Sequence, residues 1–331
     1  MTITINKETD KFFLALGKEG KHTFIMFGVY DQNKVRHLLC RVGKDINEPN
    51  QPGENRCMAI AGRIADVFFS KIKSRLKNER ISRDNPGNIP ISYQAYDTTY
   101  EHYLEFIGLL ETLQNKHNRY LCYKPRKQEG NHIELTKSFQ LITNNQKLHE
   151  GIKKNIEEFS IDNTCRHTAI KLVEEVQKVP VSSLVSSNFF IDLPYRTQLV
   201  YGKPSMGIPF YVLPMSPDAY PDLNAVQKSI IEKLYARMER LVLLEPASAQ
   251  TVKKFNSIKT EYTQIVGPQR EFNLEQLLQS IQTWKERDKS ILNSLRTTYF
   301  WDAFFTRTSA TMTMINEIEH RLITQNKKNS M

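Results

Sequence analysis

The sequence predicts an α+β domain followed by an all-α helical bundle. Runs of β-branched and aromatic residues near the start predict an antiparallel sheet, whereas apolar residues at helical spacing dominate the second half. Strand signals almost cease after about residue 215. We therefore divide the chain into a mixed domain, residues 1–215, and a helical bundle, residues 216–331.

Strands are predicted at three places in the first domain. Residues 20–43 are expected to form a hairpin, because GKHTFIMFGVY ends near the turn-prone DQN and KVRHLLCRVGK stops at a glycine. The short strand ISYQAY follows the break DNPGNIP, and PFYVLPMSPD, residues 209–218, is expected to be the last strand. The polar stretch 124–160 is interpreted as an elaboration outside the core.

Helices are predicted where apolar residues recur at helical spacing. In the first domain, two such segments are RCMAIAGRIADVFFSKIKSRL and DTTYEHYLEFIGLLETLQ, the second with an N-capping aspartate or threonine. In the second half the predicted helices are LNAVQKSIIEKLYARMERLVLL, SAQTVKKFNSIKTEYTQIV, NLEQLLQSIQTWKERDKSILNSLRTTYFWDAFF and SATMTMINEIEHRLITQ.

One further predicted helix carries a cysteine at its start, in SIDNTCRHTAIKLVEEV, residues 160–176. Asp162, Asn163 and Thr164 are all good N-cap residues. An apolar stripe at helical spacing runs along the helix and faces inward: Cys165, Ala169, Leu172, Val173 and Val176. The thiol of Cys165 is therefore expected at an inward-facing helix N-terminus.

Composition and charge restrict the classes of function. The 331 residues include no apolar stretch long enough to cross a membrane, and the net charge is +10. The densest basic run, KIKSRLKNERISR at residues 71–83, contains no aromatic residue and accompanies no nucleic-acid motif, so it is interpreted as a solvated helix face and loop. We do not expect a nucleic-acid binder, whereas contact with an anionic membrane surface stays open.

Four cysteines without a CxxC pair favour free thiols in a reducing compartment. The N-terminus MTITINKETDKFF has no basic start followed by an apolar run, so no classical signal peptide is expected. The predicted location is the cytoplasm of the producing cell or, after translocation, a host cell.

A thiol nucleophile needs a lowered pKa, a base and a group that orients the base. A helix N-terminus favours the thiolate of Cys165. His22 and His37 stand in the two strands of the predicted hairpin and are candidates for base and orienting residue. The alternatives stay open: each histidine as an ordinary hydrogen-bonded or solvated strand residue, and Cys165 as a core residue.

Two strands that each carry a histidine come first, a long middle segment follows, and Asn-x-Cys-x-His stands at a helix start. The order of these elements resembles that in circularly permuted papain-like enzymes. These include the lecithin:retinol acyltransferase-like thiol acyltransferases and their bacterial relatives. The matching segments are HTFIMFGVY, VRHLLC and NTCRHTA. The resemblance implies a permuted papain-like domain with Cys165 as nucleophile, His22 as base, His37 as third residue and His167 in a structural role. Arg166 stands where the family has a glutamate.

Other candidates have less support. Cys57, at a predicted helix start beside Arg56, is the alternative nucleophile. A zinc site of His22, His37 and Cys165 would lack a fourth ligand and a close-spaced pair, so no metal or other cofactor is expected. Tyr201 and Tyr211 are candidates for stabilising an oxyanion.

The resulting hypothesis is a cysteine-dependent hydrolase or acyl or amide transferase. The candidate substrates are a peptide, an isopeptide, a glutamine side chain and a lipid ester. A protein amide is favoured, because a helical bundle suits docking of a protein. Lysine- and asparagine-rich composition and the helical tail are similar in style to effectors that a bacterium such as Legionella delivers into its host, so a host protein is a candidate partner. The alternative is a catalytically inactive interaction or scaffold protein that binds a host protein or membrane through its bundle.

Overall fold

The structure, a computed structural model, describes residues 2–46, 72–79, 81–82, 84, 87–114, 119–139, 150–267, 273–295 and 308–329. Over these residues the chain has an α+β fold, as predicted. It divides into two compact units, Met1–Val212 and Leu213–Met331. The strands described below all lie in the first unit, and the second unit is helical in its described part.

The strands are β1 Thr2–Asn6, β2 Lys11–Glu19, β3 His22–Asp31, β4 Lys34–Ile46, β5 Ile72–Asn78, β6 Ile89–Thr98, β7 Cys122–Glu129, β8 His132–Ser138, β9 Glu158–Phe159, β10 Tyr195–Val200 and β11 Lys203–Pro204. The helices are α1 Tyr100–Thr112, α2 Glu150–Glu157, α3 Cys165–Gln177, α4 Ala225–Leu244, α5 Ala249–Val266, α6 Leu274–Arg287, α7 Lys289–Asn293 and α8 Ala310–Asn329. A 3₁₀ turn spans Pro217–Ala219.

The first unit is built on an eight-stranded antiparallel sheet with the order β11-β10-β6-β2-β3-β4-β5-β9. The central strands β2 and β3 are almost continuously buried along their length, so both faces of the sheet are covered there. Helix α3 packs against β3, β4 and β2. A smaller antiparallel sheet has the order β1-β8-β7.

The predicted hairpin over residues 20–43 is confirmed as β3 and β4. Its two-residue loop, Gln32 and Asn33, has φ angles of 45° and 61°, so both central residues adopt the left-handed conformation that a type I′ turn requires. Two register shifts follow, one between Phe27 and Gly28 and one between Val29 and Tyr30. These shifts decide which residues of β4 face the start of β3.

Three predictions about the first unit need correction. The stretch 124–160 contains most of the β7–β8 hairpin and helix α2, and it contributes Ile133 and Leu135 to the core. Residues 209–218 contain no described strand; Phe210 instead stacks on Tyr93, with ring centroids 4.5 Å apart. The end of the helix predicted from Arg56 is strand β5, because it pairs with β4. The rest of that helix, with Cys57, lies outside the described residues.

The predicted helices α1 and α3 in the first unit and α4, α5 and α8 in the second are confirmed. Helix α1 begins after Thr99, whose side chain accepts a hydrogen bond from the His102 N–H. The third predicted helix of the second unit divides at Asp288 into α6 and α7, and its end lies outside the described residues. Within this unit the buried Trp284 donates to Ser257 Oγ at 2.8 Å. No helix of the described ranges is long and apolar enough to span a bilayer.

Candidate active site

Cys165 is the first residue of α3, as the sequence predicts. Thr164 is the N-cap, and its hydroxyl accepts a hydrogen bond from the Arg166 N–H at 3.2 Å. His167 completes a capping box, because its Nδ1 accepts from the Thr164 N–H at 3.4 Å. His167 thus has a capping role, and Cys165 lies at the positive end of the helix dipole.

The thiol of Cys165 meets the start of β3. Its Sγ accepts a hydrogen bond from the Thr23 N–H at 3.3 Å and lies 3.8 Å from the Lys21 carbonyl oxygen. Cys165 is only 7% exposed. Residue 22 lies between these two backbone contacts, so its side chain starts beside the sulfur.

His22 lies between the thiol of Cys165 and the carboxylate of Glu79. His22 Nε2 is 2.6 Å from Glu79 Oε1, and the imidazole is close enough to the Cys165 thiol for each group to shift the pKa of the other. Because Nε2 bonds Glu79, the nitrogen left for the thiol is Nδ1. Thiol, imidazole and carboxylate therefore lie next to one another, in the order in which a nucleophile, a base and an orienting group act in a thiol enzyme.

The pKa values of these three groups shift together. Burial disfavours the protonated imidazole, but the hydrogen bonds to Cys165 and Glu79 outweigh it and raise the pKa of His22 to about 10. Burial likewise opposes ionisation of Cys165, yet His22 and the Thr23 N–H lower the pKa of the thiol. The pKa of Glu79 is also lowered, because the His22 bond outweighs burial. The arrangement favours a thiolate–imidazolium pair.

Arg41 supports Glu79 from the far side. It is 1% exposed, and its guanidinium carbon lies 3.9 Å from the ring centroid of Phe24. Its Nη2 lies 3.3 Å from Glu19 Oε2 and 3.7 Å from Glu79 Oε2. The cation keeps the Glu79 carboxylate charged and limits its movement.

Gly43 leaves the space that the imidazole occupies. A Cβ added at this position would lie 2.5 Å from His22 Nε2 and 2.8 Å from Glu79 Oε1. No larger residue fits there without displacing the histidine or the carboxylate. The site therefore requires a residue without a side chain at position 43.

Lys44 fixes the segment that leads into α3. Its Nζ donates to the carbonyl oxygens of Asn155, Glu158 and Asn163 at 2.7, 2.6 and 2.8 Å. The Asn163 side chain donates to two of the same carbonyls, those of Asn155 and Glu158. Burial lowers the pKa of Lys44 to about 7, while the Cys165 charge acts in the opposite direction. Lys44 thus holds residues 155–163 against the sheet just before the nucleophile.

The structure does not bring His37 to the pair of His22 and Cys165. His37 lies opposite Val29, between the two register shifts and seven residues along β3 from His22. At about 3.3 Å per residue this is roughly 23 Å, and an odd spacing places the two side chains on opposite faces. Burial and the nearby Arg36 lower the pKa of His37. The polar side chain that contacts the His22 imidazole is that of Glu79, and His37 does not reach it.

The zinc site considered from the sequence fails for the same reason, because its second histidine is remote. Within the described ranges no group of three or more His, Cys, Asp or Glu side chains is placed to hold a metal ion.

The two candidate oxyanion tyrosines have other surroundings. Tyr201 lies in the turn between β10 and β11 and is 52% exposed, three strands from β3. Tyr211 is buried, and its N–H donates to the Tyr93 hydroxyl. Cys40 and Cys122, the other described cysteines, are buried with their sulfurs 3.0 Å apart.

Sequence reasoning missed Glu79 and Lys44. Glu79 belongs to the basic run of residues 71–83, which we interpreted as a solvated helix face and loop. The sequence signal for Glu79 was that it is the one carboxylate among six basic residues. This signal is too weak to identify a site residue. Lys44 was not considered, since a lysine near a strand end is usually solvated.

Neither a family model, a curated protein nor a solved structure matches this chain.

Proposed function

We propose that the first unit is a cysteine-dependent hydrolase or acyl transferase with a circularly permuted papain-like domain, and that it acts through Cys165, His22 and Glu79. The observation that carries the proposal is that Cys165 Sγ contacts the backbone on both sides of His22, whose imidazole hydrogen-bonds Glu79. The order of a strand histidine before a helix-start cysteine also fits the resemblance. A protein amide is the favoured substrate, and a host protein reached after translocation is the favoured setting.

The proposed reaction begins with attack of the Cys165 thiolate on the substrate carbonyl carbon. In the proposed mechanism the backbone N–H of Cys165, in the first turn of α3, donates to the developing oxyanion. The His22 imidazolium then protonates the leaving amine as the C–N bond breaks, which leaves an acyl-thioester. Neutral His22 next deprotonates water, an amine or a hydroxyl, and attack of this group releases the acyl product. Glu79 holds the imidazole in place throughout.

The test is alkylation of Cys165 by iodoacetamide as a function of pH, with site mapping, on wild type and His22→Ala. We expect the wild-type rate to rise well below pH 9 and the variant profile to move to higher pH, because burial then acts on the thiol without the imidazolium. Cys40 and Cys122 are internal references, and burial raises the pKa of Cys40. A Cys165 rate equal to that of these references, or unchanged in His22→Ala, would overturn the proposal.

One observation favours the alternative, a catalytically inactive interaction protein: Cys165 is nearly sealed. In that case the helical unit would bind the partner, and the exposed Leu243 and Leu244 at the end of α4 are candidate contacts. Two results together would support this alternative. The alkylation test fails, and the wild-type chain binds a partner that Leu243→Ser no longer binds.

A further inference from the structure

We infer that Arg166 recognises a carboxylate carried by the acyl part of the substrate, so that the enzyme acts on acidic acyl donors. This inference rests on the proposed function, since the acyl group is the one that Cys165 would bind. It extends that function by naming the chemical class of the substrate.

The first support is the incomplete hydrogen bonding of Arg166, the second residue of α3. Its side chain is fully buried, and Nη2 donates to the Ile191 carbonyl oxygen at 2.5 Å. Nε and Nη1 are buried without a hydrogen-bond partner. A buried guanidinium with two nitrogens that lack a partner is costly, and a carboxylate, which can accept two hydrogen bonds from a guanidinium, is the group that best matches its planar geometry.

The second support is the position of the guanidinium. Arg166 follows the nucleophile directly, and its charge interacts with those of Cys165 and Asp192. The Asp192 carboxylate is already paired with Lys18, at 2.6 Å, and with Arg196, at 3.5 Å. The Asp192 carboxylate, which interacts with the Arg166 charge, is thus also engaged by two other cations, and a substrate anion bound at Cys165 would interact with the Arg166 charge.

The third support is the polar character of the sheet below α3. Lys18 and Ser92 lie in register with Thr23 and share its face. On this face Thr23 Oγ1 and both amide atoms of Gln94 are buried without a hydrogen-bond partner. Thr23 lies beside Cys165, and Gln94 lies two strands away on the same face of the sheet. With Arg166 they provide unsatisfied polar atoms, which suit a polar acyl group better than an apolar one.

Access to Arg166 is controlled by residues 188–193, which we call the strap. The strap carries the Ile191 carbonyl that Arg166 contacts, whereas its side chains Phe190 and Ile191 are 65% and 51% exposed. The exposed side chains of Phe190 and Ile191 bury little apolar surface, whereas Asp192 anchors the end of the strap through its ion pair with Lys18. A carboxylate would replace a neutral carbonyl acceptor by a charged one, and charge-assisted hydrogen bonds are the stronger kind.

The test compares iodoacetate with iodoacetamide, two alkylating reagents of similar size that differ in one negative charge. Each forms an Sγ–C bond with Cys165 and releases iodide. We expect the ratio of the iodoacetate rate to the iodoacetamide rate to fall by about tenfold or more in Arg166→Gln, the factor of one charge-assisted hydrogen bond. Arg196→Gln is the matched control, because it removes the same charge from an exposed side chain, and its ratio should stay at the wild-type value.

The outcomes separate the inference from the proposed function. If iodoacetamide labels Cys165 fast and Arg166→Gln leaves the ratio of the iodoacetate rate to the iodoacetamide rate unchanged, the inference is overturned. Cys165 would still be the proposed nucleophile. The same conclusion follows if both rates fall equally, since Arg166 then acts on the thiolate alone. Slow iodoacetamide labelling of wild-type Cys165 overturns both proposals.

A second measurement covers the case in which Arg166→Gln does not fold. On wild type, acetate should slow iodoacetamide labelling of Cys165, whereas acetamide at equal concentration should not. Equal effects of the two compounds would overturn the inference without any variant.

Discussion

Glu79 Oε1 lies 2.6 Å from His22 Nε2, although 57 positions separate the two residues in the chain. The contact joins the residue just after β5 to the first residue of β3, and β4 lies between these two strands in the sheet. The imidazole crosses β4 above Gly43. The position of the carboxylate therefore depends on the pairing of three strands.

Glu79→Gln should reduce the reactivity of Cys165. The amide keeps the size of the carboxylate but not its charge, so the pKa of His22 should fall and that of the thiol should rise. At a pH below the thiol pKa, the alkylation rate should fall about tenfold for each unit by which that pKa rises. The measurement is the iodoacetamide rate at neutral pH.

Two controls accompany Glu79→Gln. Glu19→Gln removes the other carboxylate beside Arg41 and should leave the rate almost unchanged. His37→Ala should also leave it unchanged, because His37 lies far along the sheet. If the alkylation rate falls as much in His37→Ala as in Glu79→Gln, the proposed role of Glu79 as the residue that orients His22 is contradicted.

Gly43→Ala should displace the imidazole. The added methyl group would overlap His22 and Glu79, and overpacking of this kind costs about 1–3 kcal/mol of stability. We expect slower alkylation of Cys165 and a lower free energy of unfolding, measured by urea denaturation. Gly207→Ala is the control, because its added Cβ would lie 3.7 Å from its nearest neighbour, an ordinary contact. An alkylation rate in Gly43→Ala equal to that of wild type would show that the added methyl group does not displace His22.

Lys44→Met should destabilise the first unit, and the effect should depend on pH. Three carbonyl groups each lose one donor, but those of Asn155 and Glu158 keep the Asn163 amide, so the expected cost is roughly 1–3 kcal/mol in total. The pKa of Lys44 is about 7 in the folded chain, against an ordinary value of 10.5. Between these values the unfolded chain binds more protons, so the stabilisation by Lys44 should increase with pH, by at most about 1.4 kcal/mol per pH unit.

The measurement is the difference in unfolding free energy between wild type and Lys44→Met at several pH values from 7 to 10. Lys77→Met is the control, since Lys77 forms an exposed ion pair with Asp45 and should contribute less than about 1 kcal/mol. A difference that does not change with pH would show that Lys44 keeps an ordinary pKa in the folded protein.

Local patterns were sufficient to predict the two ends of the thiol–imidazole contact. The alternation and composition of β3 placed His22 at a strand start, and the N-cap residues placed Cys165 at a helix start. These signals lie within a few residues of the side chains concerned. The predicted hairpin also placed His22 and His37 in neighbouring strands, which is correct.

The third residue was not predictable in this way, because it depends on register. Two irregularities in the β3–β4 pairing shift every later partner, and the pairing of Val42 with Asn78 then brings Glu79 to His22. The β7–β8 hairpin was missed for a different reason. Its Lys124 is 4% exposed and pairs with Glu111 at 2.7 Å, so a buried ion pair gave the strand a polar sequence.

The separation of the contacting segments along the chain also governs when the site forms. Thr23 meets Cys165 across 142 positions, and Lys44 meets Asn163 across 119. We expect contacts of such high sequence separation to form late in folding, because closing a long loop costs conformational entropy before the contact stabilises the chain. During synthesis Cys165 should therefore keep the reactivity of an ordinary thiol until α3 docks on β3, and a truncated chain that ends before α3 contains the histidine and the carboxylate without the cysteine.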